Sequence, residues 1–245
     1  MKAAVLLTSV LALLLVACAG GSKATQSRIE LNGDHLRAMV LIRDELGPEY
    51  DSFGADPASG PRTSEQLVEE SINPDDEALD VANFGILLGH EDTYVSLPNL
   101  ISRAGVLSLT DGVILYANRD GAAGDLDDSL GDLKRDFSGT SEFGSLQGFK
   151  TFKPKVGERS HGEIIRVMTP GSNFGITGVV NITITSVSFQ RDRMVGAVVI
   201  MSFDAKDLKG ETIDLARKLD KRMQAVLRGE QPPSAAPPGT GAVVP

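Results

Sequence analysis

The chain has 245 residues, 41% of them hydrophobic, with nine phenylalanines and no tryptophan, enough apolar material for a sizeable core. Its 24 basic and 33 acidic residues leave a net charge of −9, a balance that argues against nucleic acid as a partner and against a polybasic membrane patch. A single cysteine, Cys18, excludes internal disulfides and cysteine-built metal cages.

At the start, Met1 and Lys2 lead into an apolar run from Ala3 to Val16, broken only by Thr8 and Ser9. A short basic start, an apolar stretch and small residues behind it read as an export signal rather than a buried helix. The closing residues Leu15-Val16-Ala17-Cys18 match the lipobox at every position, and on them the chain resembles bacterial lipoproteins. That resemblance implies cleavage between Ala17 and Cys18 and a diacylglyceryl thioether on Cys18, with acyl chains such as palmitate holding the protein to a membrane. Two chains give stable attachment where one gives only marginal attachment. Nothing after Cys18 is long and apolar enough to span a bilayer. Lys2 is the only charge in the signal, so the remainder carries 23 basic and 33 acidic residues, a net of −10.

Residues 18–33 are small and polar and read as a flexible tether. Asp34 is placed to cap a helix bearing Leu36, Met39, Val40 and Leu46, which Gly47-Pro48 then stops. Three prolines and three glycines make 47–62 a loop. Thr63, with Gln66 three residues on, forms a capping box for a short helix. Asn73-Pro74 followed by Asp75, Asp76 and Glu77 opens another, its acids favoured by the helix dipole rather than gathered for a metal.

Strand signals begin at Phe84 and run to Leu97, with Gly85 and Gly89 marking bulges. From Gly105 to Ala117 the apolar parity of Leu107, Leu109, Val113 and Leu115 fits one long strand, while Asp111-Gly112 fits a hairpin turn; periodicity does not choose. Leu126, Leu130, Leu133 and Phe137 are spaced as one helix face. The acids around them resemble a calcium loop, with Asp125, Asp127 and Ser129 at positions one, three and five and Asp136 at twelve. Leu130 stands where that loop needs glycine, so a solvated helix face is the better reading.

The Gly/Ser-rich stretch 138–155 reads as a loop pinned by Phe143, Phe149 and Phe152. Glu163 to Met168 is a strand, followed by a turn at Pro170-Gly171. Val180, Ile182 and Ile184 alternate with polar residues before the parity switches to Val187 and Phe189, which predicts a bulge near Thr185. Arg191-Asp192-Arg193 turns the chain into Met194–Phe203. That strand is apolar on both faces and belongs at the centre of a sheet covered on both sides. A helix from about Glu211 to Arg228 carries Leu215, Leu219, Met223 and Val226 on one face and ends at Gly229. Residues 230–245, holding five of the twelve prolines, have the composition of a disordered tail.

These elements make an α+β domain over 34–229, an antiparallel sheet with N-terminal helices and a closing C-terminal helix packed on it. Gly157-Glu158-Arg159-Ser160, Ser188 to Val195 and Leu215 to Met223 follow a layout similar to that of uncharacterised exported bacterial lipoproteins. More distantly, they resemble the extracellular sensor domains of some bacterial serine/threonine kinases. The resemblance implies a strand, turn, strand and helix closing the domain, and brings no catalytic residues with it.

The chemistry-bearing residues form no local motif. His35, His90 and His161 lie in unrelated segments without metal-ligand spacing, and His90 beside Glu91 and Asp92 reads as a surface group. No serine stands in a Gly-x-Ser-x-Gly elbow, and Gly121 to Gly124 lacks the ending of a phosphate loop. The expectation is therefore a non-enzymatic module, lipid-anchored on the extracytoplasmic side of a bacterial envelope membrane. It has no catalytic residues, cofactor or metal. Its partner is a small apolar ligand, envelope component or protein, with apolar space expected between Val195–Phe203 and the helix face of Leu215 to Val226. The alternative is an envelope hydrolase with a site assembled from scattered residues.

Overall fold

A single eight-stranded antiparallel sheet, in the order β1-β3-β4-β8-β7-β6-β5 with β2 also on β3, organises the computed structural model. The strands are β1 (Phe53–Ala55), β2 (Gly60–Thr63), β3 (Ile86–Ser96), β4 (Val106–Tyr116), β5 (Ser145–Phe152), β6 (Arg159–Pro170), β7 (Val179–Arg191) and β8 (Met194–Phe203). The helices are α1 (Gly33–Met39), α2 (Arg43–Leu46), α3 (Ser64–Glu70), α4 (Pro74–Phe84), α5 (Arg119–Asp128) and α6 (Lys209–Leu227). The structure describes residues 29–71, 74–96, 105–131, 134, 144–174, 177–203 and 208–233. The lipobox, Leu15 to Cys18, lies outside them. Those from Leu31 onward form one compact unit. The α+β class, the antiparallel sheet and the closing helix are as the sequence predicts.

β8 lies between β4 and β7, at the centre of the order, as its two apolar faces require. One sheet face carries Leu109, Val113, Leu115, Phe189, Val198 and Ile200, all buried. Against it packs α6 through Leu215, Leu219, Met223 and Val226, none more than 2% exposed. Gly196 makes that approach possible, because a Cβ there would meet the Phe189 ring and the Met223 sulfur. The opposite face receives α3, α4 and α5 at one end, where Ile86, Tyr116, Ala122, Leu126 and Val195 cluster with Leu67, Val81, Phe84 and Ile114.

Several local expectations give way to tertiary demands. The first helix is two pieces: Asn32, not Asp34, caps α1, its side chain accepting the His35 N–H, and α2 restarts at Arg43. The break falls at Leu41, whose N–H donates to Asp111 Oδ1 at 2.8 Å and whose carbonyl accepts the Tyr94 hydroxyl at 3.1 Å. These strand side chains replace the helical partners. Within 47–62, predicted as loop, β1 and β2 add to β3 despite their glycines and Pro61, which sit at the sheet margin where proline is tolerated. Gly85 is the positive-φ terminator of α4 and Gly89 pairs in register; the irregularity of β3 falls between Ile86 and Leu88. β4 is one strand with Asp111 and Gly112 in the ladder.

The helix predicted through Leu126, Leu130, Leu133 and Phe137 starts earlier and ends at Asp128. Asn118 caps it, Ala122 and Leu126 are its buried residues, and Leu130 is 48% exposed. Leu133 and Phe137 lie outside the described residues. Asp125 and Asp127 sit on the body of this helix, Asp125 accepting the Tyr116 hydroxyl at 2.6 Å and Asp127 pairing with Arg159. The stretch 145–152, read as loop, is strand β5. β7 has no bulge: residues 182–191 keep a continuous register with β8, and Thr183 and Thr185 are simply polar residues on a covered face. The capping box of Thr63 and Gln66 is present in both directions.

Candidate functional site

A cavity of about 700 Å³ opens between the N-terminal helices and the end of the sheet formed by β1, β2 and β3. Its floor is one face of β3. His90, Asp92 and Tyr94 stand at alternate positions and so point the same way, and all three are buried and line the cavity. Directly across from Asp92 in the β3–β4 ladder is Asp111, fully buried on the same face.

The walls are built locally. The segment from Asn32 to Arg37 forms one, held over the floor by the Leu41 bonds to Asp111 and Tyr94. Ile42, Arg43 and Asp44 continue it. The facing wall is the turn between β1 and β2, where Asp56 accepts the Ala58 N–H at 2.8 Å, the asparagine/aspartate turn that a following proline favours. Arg62 fastens this turn by donating to the carbonyls of Ala58, Gly60 and Pro61 and to Glu70. Ala55, Ser59, Gly60 and Pro61 of that wall face the cavity. Apolar surface from Ile42, Ala55, Pro61 and Tyr94 thus alternates with polar and charged groups of both signs.

Electrostatics single out the floor. His90, 5% exposed, places Nε2 at 3.3 Å from Asp92 Oδ1. Its Nδ1 and the second oxygen of Asp111 are enclosed and have no hydrogen-bond partner among the described residues. Burial pushes the Asp111 carboxyl well above the ordinary range; the Leu41 N–H opposes this and the Asp92 charge adds to it. Asp111 thus favours its neutral form more than an exposed carboxyl does. Burial also raises the Tyr94 hydroxyl, with Asp111 contributing. Unmatched buried polar groups cost on the order of 1–3 kcal/mol each, and this floor concentrates them under open space.

Ser59, His90 and Asp92 line one cavity, which is the kind of convergence a hydrolase needs. The serine is committed elsewhere, however: its hydroxyl donates to the Thr93 carbonyl at 3.3 Å and accepts the Thr93 N–H at 2.9 Å. His90 Nε2 is taken by Asp92 rather than directed at a nucleophile.

The sequence reading of His90 as a surface group is corrected here, since β-strand parity turns it inward with Asp92. The other histidines stay apart. His35 completes the α1 cap with Asn32, and His161 lies on β6, its pKa lowered by burial. The apolar space expected between β8 and α6 is filled: Val198, Ile200, Leu215, Leu219 and Met223 close it. Cys18 and Ala17 lie outside the described residues, and no helix among those described is long and apolar enough to cross a membrane.

No protein-family model matches the chain, and no curated protein matches it. Among solved structures, the chain is similar to the extracellular domain of PknH from Mycobacterium tuberculosis, with a TM-score of 0.49 and 12% identity. The match covers 80% of this chain and 98% of that one.

Proposed function

We propose that the protein is a lipid-anchored module of the extracytoplasmic envelope surface that binds a small ligand in the cavity over His90 and Asp92, without catalysing a reaction. The observation that carries this reading is the cavity floor, where the buried His90–Asp92 contact and the unmatched His90 Nδ1 lie beneath about 700 Å³ of open space. A concave site of mostly apolar wall with a few convergent polar groups is the usual form of a small-molecule site. The ligand it suits is partly apolar, to cover Ile42, Pro61 and Tyr94, and carries a hydrogen-bond donor for Asp92. Anchoring rests on the lipobox and the Cys18 thioether it implies, which hold the module to the membrane from which such a ligand is sampled.

The test is native mass spectrometry of the protein purified from its own host, paired with thermal melting across a panel of envelope lipids and metabolites. A ligand that binds only the folded state raises the melting temperature. The gain should disappear in Asp92→Asn and His90→Gln. An empty protein with no stabilisation by any compound would refute the binding reading. The second reading, an envelope hydrolase, is favoured by the meeting of Ser59, His90 and Asp92. It predicts turnover of an ester substrate that Ser59→Ala abolishes.

A further inference from the structure

Away from that cavity, a second concavity of about 290 Å³ lies on the α6 side of the sheet, where β5, β6 and β7 run past the start of the helix. Its cations are Lys150, Arg166 and Lys209, and no described carboxylate lines it. This is a local reversal of sign in a chain of net charge −9.

The ladder explains how the cations are gathered. Gly148, Arg166 and Thr183 form one row across three strands, and Lys150, Ile164 and Thr185 form the next. Lys150 and Arg166 are therefore diagonal neighbours on one face, about 7 Å apart at the backbone. Both are exposed, and among the described residues neither forms an ion pair. Gly148 leaves the floor bare: a Cβ built there would meet nothing within 4 Å. Phe152 lies over Gly162, where a Cβ would collide with its ring, and Lys209 Nζ stands 4.8 Å from the Phe152 ring centroid. The positive end of the 19-residue α6 dipole begins at the same lysine.

Like charges set side by side without a counter-charge repel one another, and a bound anion reverses the sign of that contribution. Two cations at this spacing can be bridged by the oxygens of one tetrahedral phosphate group. We infer that Lys150, Arg166 and Lys209, around the bare floor at Gly148, form a binding site for a phosphate group. The source is either a free phosphate ester or a phospholipid headgroup, and the aromatic Phe152 beside the cations accommodates the apolar part of such a molecule.

The experiment uses the detergent-solubilised full chain and isothermal titration with inorganic pyrophosphate, dihexanoyl-phosphatidylglycerol and dihexanoyl-phosphatidylcholine. Saturable binding of pyrophosphate alone identifies a free phosphate ester. Preference for the phosphatidylglycerol over both others identifies a headgroup. Either supports the site, provided that the affinity falls by about tenfold or more in Lys150→Gln/Arg166→Gln and weakens with added salt. Gly148→Leu serves as a second variant, because it fills the pocket from open space without touching a charge; it should abolish binding while leaving the melting temperature of the unliganded protein unchanged. No saturable binding of any probe, or binding unaffected by both variants, would overturn the inference. Binding at the His90 cavity is read separately through Asp92→Asn, which should leave the phosphate affinity intact.

Discussion

Arg222 offers the sharpest test of how the cavity wall is held. It projects from α6 and is 5% exposed. Its Nε donates to the Met39 carbonyl at 3.2 Å, its Nη2 to the Ala38 carbonyl at 2.8 Å and to the Pro233 carbonyl, and its Nη1 to both carboxylate oxygens of Glu45 at 3.0 and 3.1 Å. Because α1 ends at Met39, the carbonyls of Ala38 and Met39 have lost the donors that a continuing helix would supply. Arg222 stands in for them. Arg222→Met keeps much of the aliphatic bulk and removes every donor. The buried Met39 carbonyl and the half-buried Ala38 carbonyl, left unmatched, cost about 1 kcal/mol or more each. The Glu45 pair adds less than about 1 kcal/mol, because that carboxylate is 32% exposed and screened by solvent. The sum is about 3 kcal/mol. For a domain of this size it corresponds to a fall in melting temperature of about 6–12 °C, measurable by calorimetry and by urea titration. Glu45→Gln should cost no more than about 1 kcal/mol. A fall of less than about 2 °C for Arg222→Met, or equal losses for the two variants, would refute the assignment of the stability to the carbonyl bonds.

The other predictions address the remaining contacts. Asp111 has a folded-state pKa raised by burial, so its contribution to stability is fully present below the ordinary carboxylate value near 4 and is lost as pH rises toward the raised value. Asp111→Asn, whose amide does not ionise, should therefore gain on the parent steadily as pH rises above the ordinary carboxylate range. Parallel pH profiles of the two proteins would contradict this. Gly121→Ala should destabilise by about 2 kcal/mol despite the better helix propensity of alanine, because the added methyl overlaps the Phe84 carbonyl where α5 meets the end of α4; a neutral melting curve would show that the two helices can separate. Leu130→Asp should change stability by no more than about 0.5 kcal/mol, since Leu130 lies beyond the end of α5 in solvent. Cys18→Ser should shift the protein from the membrane pellet to the soluble fraction after a high-salt wash, and persistence in the pellet would refute lipid anchoring.

The parts of the fold that were legible are those whose signal is strong over many residues. The two-faced apolar run of β8 announced a central strand, and the stripe of Leu215, Leu219, Met223 and Val226 announced the closing helix to within two residues at each end. The box of Thr63 and Gln66 was legible because a cap is satisfied by its own neighbours. The misreadings share a cause. At Leu41 the helix breaks because Asp111, seventy residues away, takes its N–H. In β7, Thr183 and Thr185 broke the apolar parity without breaking the strand, because burial tolerates a threonine wherever the face is covered. At Leu126 the four-residue step to Leu130 imitated a helix stripe, while the true helix began at Asn118, in a stretch whose glycines disguised it.

The cavity followed a different rule, and its residues were individually visible but read on the wrong scale. By its chain neighbours Glu91 and Asp92 alone, His90 reads as a surface group, as though a strand exposed all its residues alike. Parity separates them: Glu91 is exposed, while His90, Asp92 and Tyr94 share the inward face with Asp111 opposite. A polar residue on the apolar parity of a strand is costly unless something meets it. Tyr94 and Asp111 are met by Leu41, and that contact lifts α1 and α2 over the floor. Among the described residues, His90 and Asp92 are met only by each other, with His90 Nδ1 unmatched. The same polar face thus does two things in sequence. Its far members fix the wall, and its near members are left beneath the space that the wall encloses. The groups that hold the roof are not the groups that face the cavity, so filling the cavity, as the proposed ligand would, need not dismantle the fold. Replacing Asp92 should accordingly weaken binding while leaving α1 in place, whereas replacing Asp111 should loosen α1. The separation is measurable as hydrogen-exchange protection of the Leu36 and Val40 amides, lost in Asp111→Ala and kept in Asp92→Asn.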